Sequence, residues 1–243
     1  GTKVALYVST GTVPEHEHDL EELEILEEAT CQEEGLAKMK CKVCEEIVEE
    51  EIEKLTAFAR ERGADAAAIP ASAVVTAEWV RMKCYFGCQG FGRRFGCPPY
   101  SPTPKETAEV LKEFKTALLV RFDGDVAEAG PERLVTRELT AHVQQMMYEM
   151  EKMAFEDGFY KVLCYTGHQC GWCKSCAAKE KGAAASDCRL RKKMRPSMEA
   201  AGIDVYATAR AAGWELGILT CTDVPGGKKL DSPMTTVMML LLE

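Results

Sequence analysis

The chain has 243 residues, of which 46% are hydrophobic, and a formal net charge of −9. This supplies enough apolar material for a folded core, and the acidic balance argues against nucleic acid, because phosphate backbones attract basic proteins. No stretch approaches the roughly 20 apolar residues of a membrane-spanning helix, and no basic region followed by an apolar run marks a signal peptide. We therefore expect a cytoplasmic protein that binds neither nucleic acid nor membranes.

The first features in chain order are a strand and an acidic tract. Alternation of apolar with smaller or polar residues predicts a strand over Lys3–Ser9. Residues 15–34 contain no Lys or Arg, which indicates a solvated arm or an exposed helix. We assign residues 1–44 to an N-terminal appendage and residues 45–243 to a single α/β domain.

Within that domain, local patterns alternate between helix and strand. Apolar residues at helical spacing predict a helix from Glu45 that ends near Gly63, and residues 65–81 then look extended. A capping box at Thr103–Glu106 opens the next helix, and a strand follows at 116–122. A long helix with a methionine-rich core face starts at Pro131 and leads to a strand at 161–166. Helical turns from Ser197 break and restart at 202–204, and the last strands are predicted at 214–221 and 235–242.

The order of these elements predicts the fold class. The strands at 116–122 and 161–166 flank a long helix, and such a unit is expected to be parallel with a right-handed crossover. We therefore predict an α/β fold, in which helices pack on a mixed sheet and cysteine-rich loops project from it.

Twelve cysteines far exceed the usual share of this residue. Disulfides would require an exported chain, and disulfide scaffolds are usually short and poor in core residues. Metal binding or redox chemistry in a reducing compartment fits this chain better.

The strongest motif is a C-x2-C-x2-C run, followed after eleven residues by another cysteine. Its members are Cys170, Cys173, Cys176 and Cys188. Three thiolates at this spacing can converge on one side of a tight loop, with a fourth arriving from elsewhere, as a 4Fe–4S cluster requires. Structural zinc usually uses two separated C-x2-C pairs, so the triple run favours iron–sulfur over zinc, which stays as the alternative.

A second group, with the pattern C-x3-C-x8-C, lies in a glycine-rich segment. It comprises Cys84, Cys88 and Cys97. Three thiols leave room for a distant fourth ligand or for an open iron that binds substrate as a Lewis acid. Arg93 and Arg94 lie inside this loop, where they could bind an anion, offset cluster charge or face solvent.

The remaining cysteines give weaker signals. Cys31, Cys41 and Cys44 could form an additional metal site, supply the missing ligand of the second group or act as a redox pair. Cys164 and Cys221 fall within strand patterns, where buried structural thiols are expected.

Several of these residues, in this order, resemble a family of prokaryotic proteins known as domain of unknown function 2284. The resemblance spans roughly residues 45–220. It rests on Arg81–Cys84, Cys88, Gly96–Tyr100, the Cys170/Cys173/Cys176 run, Cys188–Arg189, and Arg195–Ala200 leading to Gly202–Val205. The resemblance implies metal binding and no particular reaction.

Three functions are consistent with these patterns. The first is an iron–sulfur protein with two 4Fe–4S clusters, acting in electron transfer or as a reductase component, with a redox protein as partner and an anaerobic enzyme as one destination for the electrons. The second is an enzyme that uses an open iron at the three-cysteine site on a small anionic or sulfur-containing substrate. The third is a zinc-stabilised binding protein.

Overall fold

The structure is a computed structural model that describes residues 20–27, 36–124, 137–217 and 234–242, with side chains described from residue 47 onward except at 234. Its strands are β1 (Leu20–Glu27), β2 (Leu36–Cys41), β3 (Ala64–Pro70), β4 (Thr116–Gly124), β5 (Leu163–Tyr165) and β6 (Met234–Leu242). Its helices are α1 (Lys42–Glu61), α2 (Glu78–Gly87), α3 (Pro104–Leu111), α4 (Arg137–Glu156) and α5 (Val205–Ala211). None of the helices in these ranges is long and apolar enough to cross a membrane.

The main sheet has the strand order β3-β4-β6-β5, and every neighbouring pair is antiparallel. β4 and β5 point the same way, as the sequence predicts for strands flanking a long helix, but β6 lies between them. The α/β class with helices on a sheet is confirmed, whereas the expected mixed sheet is instead antiparallel. The side chains of Val237–Leu242 are all at most 4% exposed, so β6 is buried on both faces and takes a central position. It is inserted between the parallel strands β4 and β5 and runs antiparallel to both.

Two cores cover the two faces of this sheet. Leu118 and Val120 of β4 pack with α1 and α4, while Ala117 and Leu119 pack on the opposite face with residues near α3 and α5. All four β4 side chains have no exposed surface. Each fully buried large aliphatic side chain contributes roughly 1.5–3 kcal/mol, so the sheet supplies a rigid base for the loops at its ends.

Most local predictions within the domain are confirmed. Helix α1 is followed by Gly63 at a φ of 77°. Thr103 and Glu106 form the capping box of α3, with Pro104 at the first helical position. The methionine face of α4 is core, because Met146, Met147 and Met150 are buried, as the core interpretation predicts.

Other predictions are wrong or fall outside the described residues. The stretch expected to be extended at 65–81 contains β3 and then the start of α2, and residues 214–217 are not in a strand. Part of the acidic tract is strand β1, paired antiparallel with β2, rather than a helix or arm. The strand predicted at Lys3–Ser9 lies outside the described residues. The division at residue 44 stays a prediction.

Candidate metal centre

The three-cysteine group is assembled from a helix end and the loop that follows it. Cys84 lies in the last turn of α2, Cys88 follows the helix directly, and Cys97 is buried in the loop. The backbone N–H of Gly90 donates to Sγ of Cys88 at 3.4 Å. Burial raises the pKa of the Cys97 thiol to about 12, and repulsion from Cys88 and Cys84 adds to the shift. The three sulfurs therefore share one electrostatic environment and line a common cavity.

A buried arginine fixes the helix that carries Cys84. The guanidinium of Arg81 is 5% exposed and donates to the carbonyl oxygens of Pro102 at 2.7 Å and Ala200 at 2.9 Å, and to Oγ of Ser101 at 3.2 Å. These bonds join α2 to the end of the Cys97 loop and to the turn at 199–201. The guanidinium carries several N–H donors in one plane and can therefore serve these acceptors together.

The three cysteines of the C-x2-C-x2-C run and the later Cys188 line a second, small cavity. Cys170, Cys173, Cys176 and Cys188 surround about 20 Å³ of free space, roughly the room one water needs. The loop that ends in Cys188 brings this thiol back to the run, as predicted from the motif. Burial raises the pKa of the Cys170 thiol, although the backbone N–H of Trp172 acts in the opposite direction.

Elements outside this loop hold it in place. Gln144 of α4 accepts from the backbone N–H of Gly171 at 2.9 Å and donates to the carbonyl oxygens of Gly167 at 3.3 Å and Gln169 at 3.1 Å. Phe95, Ala177 and Ala178 form a local apolar cluster against Cys176 and Cys188. An apolar shell of this kind limits the access of water to a metal site.

The two cysteine groups adjoin each other. A Cβ added to Gly96 would lie 3.6 Å from Cβ of Cys170 and 3.3 Å from the carbonyl oxygen of Arg195. Cys170 is also among the charges that raise the pKa of the neighbouring Cys97. The backbone at Gly96 therefore lies within about one side-chain atom of Cys170, and a Cβ there would touch Cys170 at an ordinary contact distance.

A hydrogen-bonded bridge runs between the two groups. Gln169 donates from Nε2 to Sγ of Cys88 at 3.6 Å. Its Oε1 accepts from Nε of Arg94 at 3.0 Å, and Nη1 of Arg94 donates to the carbonyl oxygen of Cys170 at 2.6 Å. Arg94 thus lines the four-cysteine cavity, while Arg93 is exposed, and neither is among the residues that line the cavity of the three-cysteine group. Anion binding by this pair stays a prediction.

The three-cysteine group faces a cavity of about 460 Å³. Other side chains also line it, among them His168 and Glu199, together with Trp79 and Gln169, which no sequence pattern indicates. His168 adopts a φ of 62°, which is uncommon for a residue with a side chain, and its Nε2 lies 2.6 Å from Oγ1 of Thr236 in a hydrogen bond. The unusual backbone angle directs this ring while Thr236 of the central strand holds it.

Of the other five cysteines, Cys164 has a described side chain, and this one does not join either group. Cys164 is fully buried in the core on β5, as predicted. Cys31 and Cys221 lie outside the described residues, and for Cys41 and Cys44 the structure describes only the backbone of β2 and α1.

The donor set fits a metal that prefers sulfur. Within the described ranges, no three or more His, Cys, Asp or Glu side chains are already arranged as the ligands of a metal ion. The thiols nevertheless gather into groups of four and three, free of disulfides, and soft thiolate ligands select zinc, copper or iron–sulfur clusters. The cationic side chains of Arg94 and Arg189 line the four-cysteine cavity and could offset the negative charge of bound thiolates.

These features define an α/β protein with two adjoining thiol sites suited to metal. The chain belongs to the family described as Predicted metal-binding protein (DUF2284), whose model matches residues 67–242, a range that contains both cysteine groups. No curated protein and no solved structure matches the chain.

Proposed function

We propose that the protein binds two 4Fe–4S clusters, one at Cys170/Cys173/Cys176/Cys188 and one at Cys84/Cys88/Cys97, and acts in electron transfer or as a reductase component. The observation that carries this proposal is the hydrogen-bonded bridge of Gln169 and Arg94, which joins the loop of Cys88 to the loop of Cys170. Two metal centres on touching loops form a path for electrons, whereas two independent structural metals have no need to be neighbours.

The motif supports iron–sulfur at the four-cysteine site. A C-x2-C-x2-C run is typical of cluster loops, and structural zinc usually takes its ligands from separated pairs. The small cavity and the apolar cluster around Phe95 leave no room for a substrate and suit a centre that exchanges electrons. When bound, such a cluster would supply a one-electron donor or acceptor. Gln144 would hold the loop that carries its ligands, and the cluster around Phe95 would limit the access of water.

A second candidate function is favoured by the 460 Å³ cavity beside the three-cysteine group. A centre held by three protein thiols keeps one position free for a ligand, and here the cavity gives a small molecule room to reach it. In this case the protein would be an enzyme, with the four-cysteine cluster as its electron supply and the cavity as its active site. A redox protein would exchange electrons with the four-cysteine cluster in either case.

The test is the metal content of protein purified without oxygen. We expect a brown protein with about eight iron and eight sulfide per chain, two clusters' worth. Cys173→Ser and Cys88→Ser should each remove about half of the iron. Cys164→Ala serves as the control, since it removes a thiol from the core and should leave the iron content unchanged.

Low-temperature electron paramagnetic resonance of the dithionite-reduced protein tests electron transfer. Two reduced clusters on touching loops should give signals broadened by their mutual interaction, and each single-site variant should give the narrower signal of one cluster. Stoichiometric zinc without iron would contradict the proposal and favour the zinc-stabilised binding protein instead. Iron that dithionite cannot reduce would contradict electron transfer while leaving metal binding intact.

A further inference from the structure

The cavity beside the three-cysteine group has the dimensions of a ligand site. Its volume of about 460 Å³ lies within the roughly 300–1,000 Å³ range of small-molecule sites. Much of its wall is apolar, and the side chains that form it come from α2, from the cysteine loop and from the region of α5. These are Trp79, Val80, Phe91, Ile203, Val205, Tyr206 and Leu216.

The charged groups of this cavity argue against an anionic ligand. Among the described residues that line it, one side chain is always cationic, that of Lys83, whose Nζ lies 4.8 Å from the ring centroid of Trp79. Two carboxyl groups, from Glu199 and Asp204, also line it. The Asp204 side chain accepts from the backbone N–H of Ala207 at the start of α5 and is thereby already engaged.

The pKa of the Glu199 carboxyl is shifted by its position in this cavity. The Glu199 side chain lines the cavity and is exposed at the surface, and desolvation by the protein atoms beside it raises the pKa of its carboxyl. Bonds from Ser197 and from the backbone oppose this shift and do not overcome it. Two carboxyl groups and one cationic side chain among the described lining residues give a bound anion little opposite charge to pair with.

Two polar side chains in the cavity are held in fixed positions. The His168 ring is hydrogen-bonded to Thr236, and the Gln169 amide is held between Arg94 and Sγ of Cys88. A few oriented polar groups in a largely apolar cavity are how proteins select a ligand with one matching polar group.

We propose that this cavity binds an uncharged, largely apolar organic molecule with a single hydrogen-bonding group, next to the thiols of Cys84, Cys88 and Cys97. The inference rests on the proposed function only in placing the ligand beside a metal centre. The ligand class follows from the cavity itself, so binding can be tested whichever metal the thiols hold.

The test uses two probes of nearly equal size, 4-fluorobenzamide and 4-fluorobenzoate, with holoprotein purified without oxygen. Fluorine NMR line broadening measures binding of each probe. We expect the neutral amide to bind at least about tenfold more tightly than the anionic benzoate, a difference of about 1.4 kcal/mol. Val205→Trp should fill the cavity and abolish amide binding, while Phe155→Trp, which adds the same ring at an exposed position of α4, should not.

A second variant tests the same site in case Val205→Trp does not fold. Trp79 is 47% exposed, so Trp79→Ala should keep the fold and weaken amide binding at least about fivefold by removing part of the cavity wall. Benzoate binding as tight as the amide would overturn the inferred ligand class. Amide binding that neither Val205→Trp nor Trp79→Ala weakens, or no binding of either probe, would overturn the site. Metal content measured on the same samples separates these outcomes from failure of the cluster proposal.

Discussion

Gln169 donates a hydrogen bond from its side-chain nitrogen to Sγ of Cys88, a residue 81 positions earlier in the chain. The same amide accepts from Arg94, so its orientation is fixed with the N–H directed at the sulfur. Gly90 makes room for this contact, because a Cβ at that position would lie 2.9 Å from the Gln169 amide. One side chain of the four-cysteine loop therefore reaches directly into the three-cysteine group.

Replacing Gln169 should lower the reduction potential of the three-cysteine centre. An N–H donated to a ligand sulfur stabilises the more negative, reduced state, so its loss makes reduction harder. We expect Gln169→Leu to shift that potential downward in a spectroscopic redox titration and to leave the other centre less affected. Gln145→Leu, which loses a bond to Glu149 on α4, is the control. A potential unchanged from wild type would show that this hydrogen bond does not tune the centre.

Arg94 and Arg93 offer a neighbouring pair with different roles. Arg94 anchors the carbonyl of Cys170 and the amide of Gln169, whereas Arg93 is exposed. Loss of a charged hydrogen bond costs about 1.5–3 kcal/mol, so Arg94→Met should speed the loss of metal to a chelator about tenfold or more. Arg93→Met should release metal at the wild-type rate. Equal rates for both variants would mean that Arg94 does not stabilise the site.

Alanine substitutions at Gly202 and Gly213 allow the cost of a steric clash to be measured apart from the cost of backbone strain. Both have positive φ, 81° and 74°, but a Cβ at Gly202 would lie 2.9 Å from Cα of Pro104, while nothing lies within 4 Å of one at Gly213. Gly213→Ala should cost about 1–2 kcal/mol from the left-handed backbone alone. Gly202→Ala should cost at least about 1 kcal/mol more, because overpacking adds to the strain. Urea unfolding of both variants measures the difference, and equal losses would show that Pro104 can yield.

Glu51 should make the folded protein more stable at pH 5 than at pH 8. Burial and the neighbouring Asp157 raise its pKa from 4.5 to about 7, and among the described residues its Oε1 has no hydrogen-bond partner. The folded state therefore binds a proton that the unfolded state releases. This contribution is complete below about pH 4.5 and is lost as the pH rises through 7, with an upper limit of about 3 kcal/mol.

Glu51→Gln should remove this pH dependence and stabilise the protein at pH 8. Glu50→Gln is the control, since Glu50 is an exposed neighbour on the same helix. Urea unfolding of the three proteins at pH 5 and pH 8 checks the prediction. If Glu51→Gln and wild type lose stability in parallel between these pH values, Glu51 is not the group responsible.

Features encoded by neighbouring residues could be predicted from the sequence. The capping box at Thr103 and Glu106 and the apolar periodicity of α1 are local signals, and each gave the right element. The spacing of Cys170, Cys173 and Cys176 likewise predicts a shared site, because a loop of this length brings the three thiols together. The structure places Cys188 with them.

Helix α2 shows where local signals fail. The β-branched residues Val74, Val75 and Val80 favour an extended chain, but the helix already begins at Glu78. Arg81 must reach carbonyl groups of two other segments, and a helix directs it there. The contacts that decide this conformation lie up to 119 residues away, so no sequence window contains them.

Trp79 and Gln169 were missed for the same reason. Trp79, Gln169 and Glu199 occur in three separate segments, and no spacing rule relates them. Only the antiparallel sheet and the bonds of Arg81 and Gln144 bring these segments to one cavity. A lone Gln before a cysteine has many roles in proteins, so its contact with Cys88 required the fold.

The central position of β6 has a consequence for biosynthesis. This strand pairs with both β4 and β5, and it is the last of the described strands to leave the ribosome. Until it emerges, the sheet lacks its middle, and neither core can close around the loops that carry the thiols. We therefore expect the two cysteine groups of a nascent chain to come together only after β6 has emerged and paired with both neighbours.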